Sequence, residues 1–276
     1  MAETLHITSQ GQGTPLVLIH GWGLNSGIWQ PLAEKLAPFF KVITVDLPGY
    51  GLNSDNNIAP YSLTNISKKI IDAVDEPAVY LGWSLGGLIA TDITRSYSDK
   101  VLALVTVASS PCFVERLNQD NQVNWPGIEP TLLKTFHHQL AQDTKKTIDG
   151  FLKIQAMGSP HIRQDLKEIK ALIFQYQMPT RQTLDDSLSL LETVDLRTNL
   201  PSISLPFLRL YGRLDSLVSK AVPDLVSELA PKSDVHIFKQ ASHAPFISHG
   251  DDFFDVLKNW LNSLEVSKKI EVSLTK

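Results

Sequence analysis

Ser84 stands between Gly82 and Gly86 in the run Gly82-Trp83-Ser84-Leu85-Gly86. The apolar stretch Ala78-Val79-Tyr80-Leu81 before it reads as a strand, and Gly87-Leu88-Ile89-Ala90-Thr91-Asp92-Ile93 after it reads as a helix. A serine flanked by glycines at a sharp strand-to-helix turn has its hydroxyl held where a substrate carbonyl can reach it. The chemistry would be attack of a serine oxygen on an acyl carbon. The alternative is a tight turn with an ordinary surface serine, and so short a motif does not decide between them. A serine hydroxyl is a poor nucleophile at neutral pH. It needs a base in hydrogen-bond reach, an acid to orient that base, and donors for the oxyanion.

Of the eight histidines, His243 is the candidate base. It lies in Ala241-Ser242-His243-Ala244-Pro245, directly after the last strand, and the carboxyl ends of strands carry the site in an open parallel sheet. His249 opens the region before the last helix and is expected to be exposed. His20, beside the first glycine turn, reads as a structural hydrogen-bonder, and His137 and His138 as solvated helix residues. Asp215 follows the strand ending at Tyr211-Gly212 and is the candidate acid. A buried carboxylate on the far nitrogen of His243 would fix its tautomer and stabilise the imidazolium. Aspartate is also a common turn former. Asp46 follows a strand too, but it precedes the nucleophile and adjoins Leu47-Pro48-Gly49, which reads as a turn. The oxyanion donors expected are the N–H of Leu85, at the start of the elbow helix, and the N–H of Trp22, in His20-Gly21-Trp22-Gly23. Trp22 also reads as a wall of the site. The order Ser84, Asp215, His243 is that of a strand-helix hydrolase.

The elements that must position these residues alternate. Strands are expected at 15–20, 41–45, 78–81, 101–107, 206–211 and 234–238, with helices at 28–38, 62–74 and from the elbow to about 97. Their near-continuous apolar runs suit a parallel sheet buried on both faces. From 111 to 190 no strand is convincing; helices are expected at 131–140, 144–156, 162–176 and 184–191. A leading strand near residues 4–8 would place this insertion between the sixth and seventh strands. Further helices are expected at 222–229 and 251–264, and the polar tail 265–276 is expected to fray.

Composition sets limits. The chain has 276 residues, suiting one large domain or a domain with an insertion, and a formal net charge of −4 that argues against general nucleic-acid binding. Cys112 is its one cysteine, so no internal disulfide is possible, which fits a reducing cytoplasm. The first twelve residues do not read as a signal peptide, and no run approaches the ~18 apolar residues of a membrane span. No Cys/His cluster has metal-ligand spacing; no metal and no cofactor are expected.

Over nearly its whole length the chain resembles the α/β-hydrolase family. Within it, the stretches 18–25, 81–87, 104–113, 193–197, 206–212 and 243–249 resemble the methyl ester esterases that act on a carrier-bound pimeloyl chain in biotin synthesis. Trp83 before the serine and Ser109-Ser110-Pro111-Cys112-Phe113 opening the insertion are the specific marks. The resemblance implies an α/β-hydrolase fold: a mostly parallel central sheet with flanking helices, a core over 1–110 and 191–264, and a helical lid over 111–190. It implies Ser84, Asp215 and His243 as the triad, and hydrolysis through an acyl-Ser84 intermediate with methanol leaving first. It also implies substrate contacts by Trp22, Ser84, Leu85 and His243, and by the lid segment Phe151, Leu152, Lys153, Ile154 and Gln155. Phe151, Leu152 and Ile154 could equally pack the lid onto the core. The partner implied is an acidic acyl-carrier protein bearing a phosphopantetheine-linked acyl ester; the enzyme is expected to be a cytoplasmic monomer.

Docking such a carrier would need positive charge. Between 145 and 170, Lys145, Lys146, Lys153, Arg163, Lys167 and Lys170 outnumber Asp149, Asp165 and Glu168. Arg163, Lys167 and Lys170 recur at helical spacing, so one face is either a docking surface, with Lys146, or merely solvated. This lid is lysine-rich where the family can use arginine, and Gly150 carries no charge. Other readings of the same triad are a broad short-chain carboxylesterase, a carbon–carbon bond hydrolase or a lactonase. A non-catalytic ligand receptor on the same fold is a reading of another class.

Overall fold

The computed structural model describes the backbone of residues 4–157, 159 and 161–274, and side chains as far as residue 264. Seven strands form the main sheet: β1 (Ile7–Gln10), β2 (Pro15–Ile19), β3 (Lys41–Val45), β4 (Ala78–Trp83), β5 (Val101–Val107), then β8 (Phe207–Gly212) and β9 (Asp234–Phe238). Between β5 and β8 lies a small antiparallel pair, β6 (Arg116–Leu117) and β7 (Val123–Trp125). The sheet order is β1-β3-β2-β4-β5-β8-β9. Only β1 runs antiparallel to its neighbour.

The helices are α1 (Gln30–Leu36), α2 (Leu63–Ala73), α3 (Leu85–Ser96), α4 (Pro130–Gln142), α5 (Thr144–Ala156), α6 (Ile162–Ile173), α7 (Arg181–Thr193), α8 (Val222–Leu229), α9 (Pro245–Ser248) and α10 (Gly250–Leu274). All residues of β4 and of β8 are buried, which is why these strands read as unbroken apolar runs. Arg209 is the exception in kind. Its buried guanidinium is satisfied by Ser233 Oγ, Pro223 O and Ser227 Oγ at 2.7–2.9 Å. Ser62 caps α2, its hydroxyl accepting from the Asn65 N–H.

Three expectations change. The insertion helices α4 to α7 fall between the fifth and sixth strands of the main sheet, because β1 is the only strand added to those legible before the insertion. The segment from 111 on is not free of strand, since β6 and β7 pair there; they are too short and irregular to carry a period-two signal. Finally, α10 runs on to Leu274. The stretch 265–274 holds neither glycine nor proline to stop it.

The order places the site. Strand β2 lies between β3 and β4, so the chain leaves in opposite directions from its two neighbours, and a crevice opens at their carboxyl ends. Ile19 pairs with Gly82, which sets the turn after β2 beside the turn after β4. Gly212 pairs with Phe238, which likewise sets the loops after β8 and β9 side by side.

Candidate active site

The elbow is a strained turn. Ser84 has φ 55° and ψ −117°, left-handed backbone that a residue with a side chain adopts only at a cost of about 1–3 kcal/mol. Its neighbours over-determine it. Ser84 N–H donates to Val107 O at 2.9 Å, and Ser109 Oγ donates to Ser84 O at 2.8 Å. Both flanking glycines are required by close approach. A Cβ on Gly82 would lie 2.0 Å from Gly86 O, and one on Gly86 would lie 2.3 Å from Ile19 O. The bland alternative, an ordinary surface serine, fails on burial, because Ser84 is 2% exposed.

The loops after β8 and β9 bring Asp215 and His243 together. Leu214 N–H donates to Ala241 O at 2.9 Å and Arg213 N–H to Phe238 O at 3.0 Å, lacing the two loops. His243 Nδ1 donates to Asp215 Oδ2 at 2.8 Å, both side chains being buried. The other carboxylate oxygen accepts from Leu217 N–H at 2.8 Å and Val218 N–H at 3.1 Å. A carboxylate so satisfied can hold one imidazole tautomer and stabilise its cation. His243 Nε2 is buried and makes no hydrogen bond among the described residues, leaving that nitrogen free to take a proton. Catalytic hydrogen bonds often tighten only once substrate is bound.

Leu85 opens α3, so its N–H has no partner within the helix. The turn after β2 closes on it. A Cβ on Gly21 would lie 3.2 Å from Ser84 Cβ, which puts the Trp22 peptide at the nucleophile's side. The indole Nε1 of Trp22 donates to Leu184 O of α7 at 2.9 Å, which ties this side chain to the insertion.

A serine on a strained elbow, an imidazole–carboxylate pair at adjacent strand ends and a facing glycine turn now stand on one parallel sheet. The family described as alpha/beta hydrolase fold matches residues 14–250. The chain is an alpha/beta hydrolase. It is 43% identical over 262 residues to the pimeloyl-[acyl-carrier protein] methyl ester esterase of Aliivibrio fischeri (strain MJ11), covering 95% of this chain and 99% of that protein. The esterase of the same name from Vibrio vulnificus (strain YJ016) is 44% identical over 253 residues, covering 92% and 96%. Among solved structures it is similar to an esterase from Exiguobacterium antarcticum, with a TM-score of 0.82 at 22% identity over 94% of this chain and 95% of that one. A bromoperoxidase from Bacillus anthracis has a TM-score of 0.81 at 20% identity, over 93% and 94%. At such identities the structures speak for the fold alone.

The other candidate bases and acids of this hydrolase are engaged in structure. His20 is buried, its Nδ1 donating to Gly21 O at 2.8 Å and its Nε2 accepting from Leu47 N–H at 3.0 Å. Burial pushes its pKa below the usual value, against opposing pulls from Asp46 and Gly21 O. Asp46 accepts from Ser26 N–H and Leu52 N–H and so braces the turn after β3. His249 is half-buried rather than exposed, bonded to Ser248 Oγ at 2.8 Å. His137 is half-buried rather than fully solvated: Nδ1 meets Asp185 Oδ1 at 2.6 Å, tying α4 to α7. His138 is exposed and bonded to Gln142.

The insertion segment divides. Phe151 and Ile154 line a cavity of about 660 Å³ together with Leu133, Phe136, Leu188 and Leu217. The Phe151 ring meets Trp22 edge-on at 4.7 Å and Phe136 at 6.0 Å. Leu152 is packed into the core and Lys153 is exposed. Gln155 is fully buried, and neither atom of its side-chain amide has a hydrogen-bond partner among the described residues. Lys146, Arg163 and Lys167 are exposed, whereas Lys170 pairs with Asp149 at 2.6 Å and joins α6 to α5. Among the described residues no group of His, Cys, Asp and Glu could hold a metal ion, and no helix is long and apolar enough to cross a membrane.

Sequence reasoning gave no role to four groups here: Ser109, which holds the Ser84 carbonyl; the Trp83 indole; Ser242; and Asn25, whose side chain donates to Ile173 O at 2.9 Å. Each is a neighbour, in sequence or across the sheet, of a residue that was singled out.

Proposed function

We propose that this hydrolase is a serine carboxylic-ester hydrolase that removes the methyl group from a pimeloyl chain carried on acyl-carrier protein. Ser84 is the nucleophile, His243 the general base and then acid, and Asp215 its orienting carboxylate. The Ser84 hydroxyl gives its proton to His243 Nε2 as Oγ attacks the ester carbonyl. The oxyanion is held by the N–H groups of Trp22 and Leu85, each worth on the order of a hundredfold or more in turnover. Collapse expels methanol, which takes the proton from His243. Water, activated by the same imidazole, then releases the free carboxylate.

The observation that carries this reading is identity of 43% over almost the full length of a named methyl ester esterase, joined to the Asp215–His243 contact of 2.8 Å beside a strained Ser84. The apolar cavity against Phe151 suits a methylene chain. The unpaired amide of Gln155 suits a polar group of the arm, since leaving it buried and unpaired costs about 1–3 kcal/mol. Lys146, Arg163 and Lys167 are the basic residues proposed to meet the carrier, and the enzyme is proposed to act as a monomer in the cytoplasm.

The test is release of methanol from the methyl ester of pimeloyl-carrier protein by the purified protein, with Ser84→Ala as control. Complementation of a biotin-requiring strain lacking this esterase is the cellular counterpart. Turnover of a chromogenic butyrate ester without turnover of the carrier-bound ester would favour a broad carboxylesterase. No turnover of either, with no labelling of Ser84 by a serine-directed phosphonate, would favour a ligand receptor.

A further inference from the structure

The C-terminal turn of insertion helix α5 sits on the loops that carry the candidate acid and base. The last carbonyls of a helix lack partners within it. Here Gln155 O accepts from Ser242 Oγ at 3.1 Å and from the His243 N–H at 3.3 Å. One residue back, Ile154 O, which also takes the Met157 N–H at 3.1 Å, accepts from Ser216 Oγ at 3.3 Å. Ser216 follows Asp215 and Ser242 precedes His243, so both triad loops end on one helix turn. Ser242 is itself buried, and its hydroxyl is held by this bond. The pattern recurs after β2, where Asn25 donates to Ile173 O at the end of α6.

We propose that Ser242 is a positioning residue: its hydroxyl, with the His243 amide, fastens the base loop to the end of α5, so that seating the insertion sets the imidazole against Ser84. The role is distinct from substrate contact, because the anchoring atoms are the Ser242 hydroxyl, the His243 amide and a backbone carbonyl that they bond to within the protein. It rests on the triad reading above. A buried hydrogen bond of this kind fixes an orientation that catalysis needs to a fraction of an ångström.

The experiment compares Ser242→Ala and Ser242→Thr on a chromogenic butyrate ester. The expected result is a kcat about tenfold lower in Ser242→Ala, with KM unchanged within about twofold and most of kcat restored by threonine, which keeps the hydroxyl. A wild-type kcat in Ser242→Ala would overturn the proposal. So would equal losses in both variants, which would assign the effect to packing. A measurement on the wild-type protein serves even where a variant does not fold. Amide hydrogen exchange of His243 is expected to report the same opening free energy as the amides of Ile154, Gln155 and Ala156. Much stronger protection of His243 would sink the coupling. Full activity in His243→Ala would instead overturn the triad reading, a separate outcome.

Discussion

The Trp83 indole Nε1 donates to the His243 backbone carbonyl at 2.8 Å, joining the residue before the nucleophile to the candidate base across the sheet. The indole is fully buried, with its ring 5.1 Å from Phe246 and 5.7 Å from the His243 imidazole. Trp83→Phe keeps an aromatic ring and removes the donor, leaving the His243 carbonyl short of a buried partner. We expect kcat to fall about tenfold and stability to fall by about 1–3 kcal/mol. Ester hydrolysis and urea denaturation measure the two effects, and wild-type values of both would remove the indole from the base's support.

His20 makes a pH prediction with a definite sign. Burial lowers its folded pKa below 6.5, while the unfolded chain takes up the proton at about that value. Below pH 6.5 the unfolded state therefore binds more protons than the fold, and stability drops as pH falls until the buried ring is forced to titrate. Above 6.5 both states are neutral and the contribution is complete. One such group changes stability by at most about 1.4 kcal/mol per pH unit. We expect the denaturation midpoint of the wild type to decline between pH 7 and 5 more steeply than that of His20→Gln. Parallel slopes would assign the acid sensitivity elsewhere.

What could be read in the chain follows from what is local. The sharp strand-to-helix turn at Ser84 with its glycines, the apolar runs of β2, β4, β5 and β8, and the Ser62 cap are short-range signals, and the structure bears out these elements. The closeness of Asp215 to His243 was legible because both follow adjacent parallel strands. His137 was misread because its partner Asp185 lies on another helix, and a helix pattern does not tell which face meets a neighbour. The anchoring carbonyls of Ile154 and Gln155 were not legible at all. Backbone groups leave no mark in a residue pattern, and which helix end abuts which loop is set by packing.

Phe151 stands between the cavity and the turn after β2, lining the first and touching Trp22 edge-on at 4.7 Å. Phe151→Leu keeps an apolar side chain but loses the aromatic contact and part of the wall. The expected result is a KM for carrier-bound ester raised about three- to tenfold, with kcat on a small soluble ester within about twofold of wild type. An edge-to-face contact of this kind is worth about 0.5–1.5 kcal/mol, so the protein should remain folded. An unchanged KM would make Phe151 a packing residue only.

We expect charge on the insertion to distinguish a carrier-bound ester from a small soluble one. Arg163 and Lys167 are exposed one turn apart on α6, while Lys170 on the same helix is held by Asp149. Two exposed cations on one face would raise the encounter rate with an acidic partner and do nothing for a neutral small ester. Reversal in the double variant Arg163→Glu, Lys167→Glu should lower kcat/KM for the carrier-bound ester about tenfold and leave a soluble butyrate ester within about twofold. Added salt should erase much of the wild type's advantage, since charges at this exposure are screened within about 10 Å at 0.1 M. Equal losses on both substrates would mean that the reversal disturbs the helix, and a salt-independent rate on the carrier would leave Arg163 and Lys167 as solvated charges.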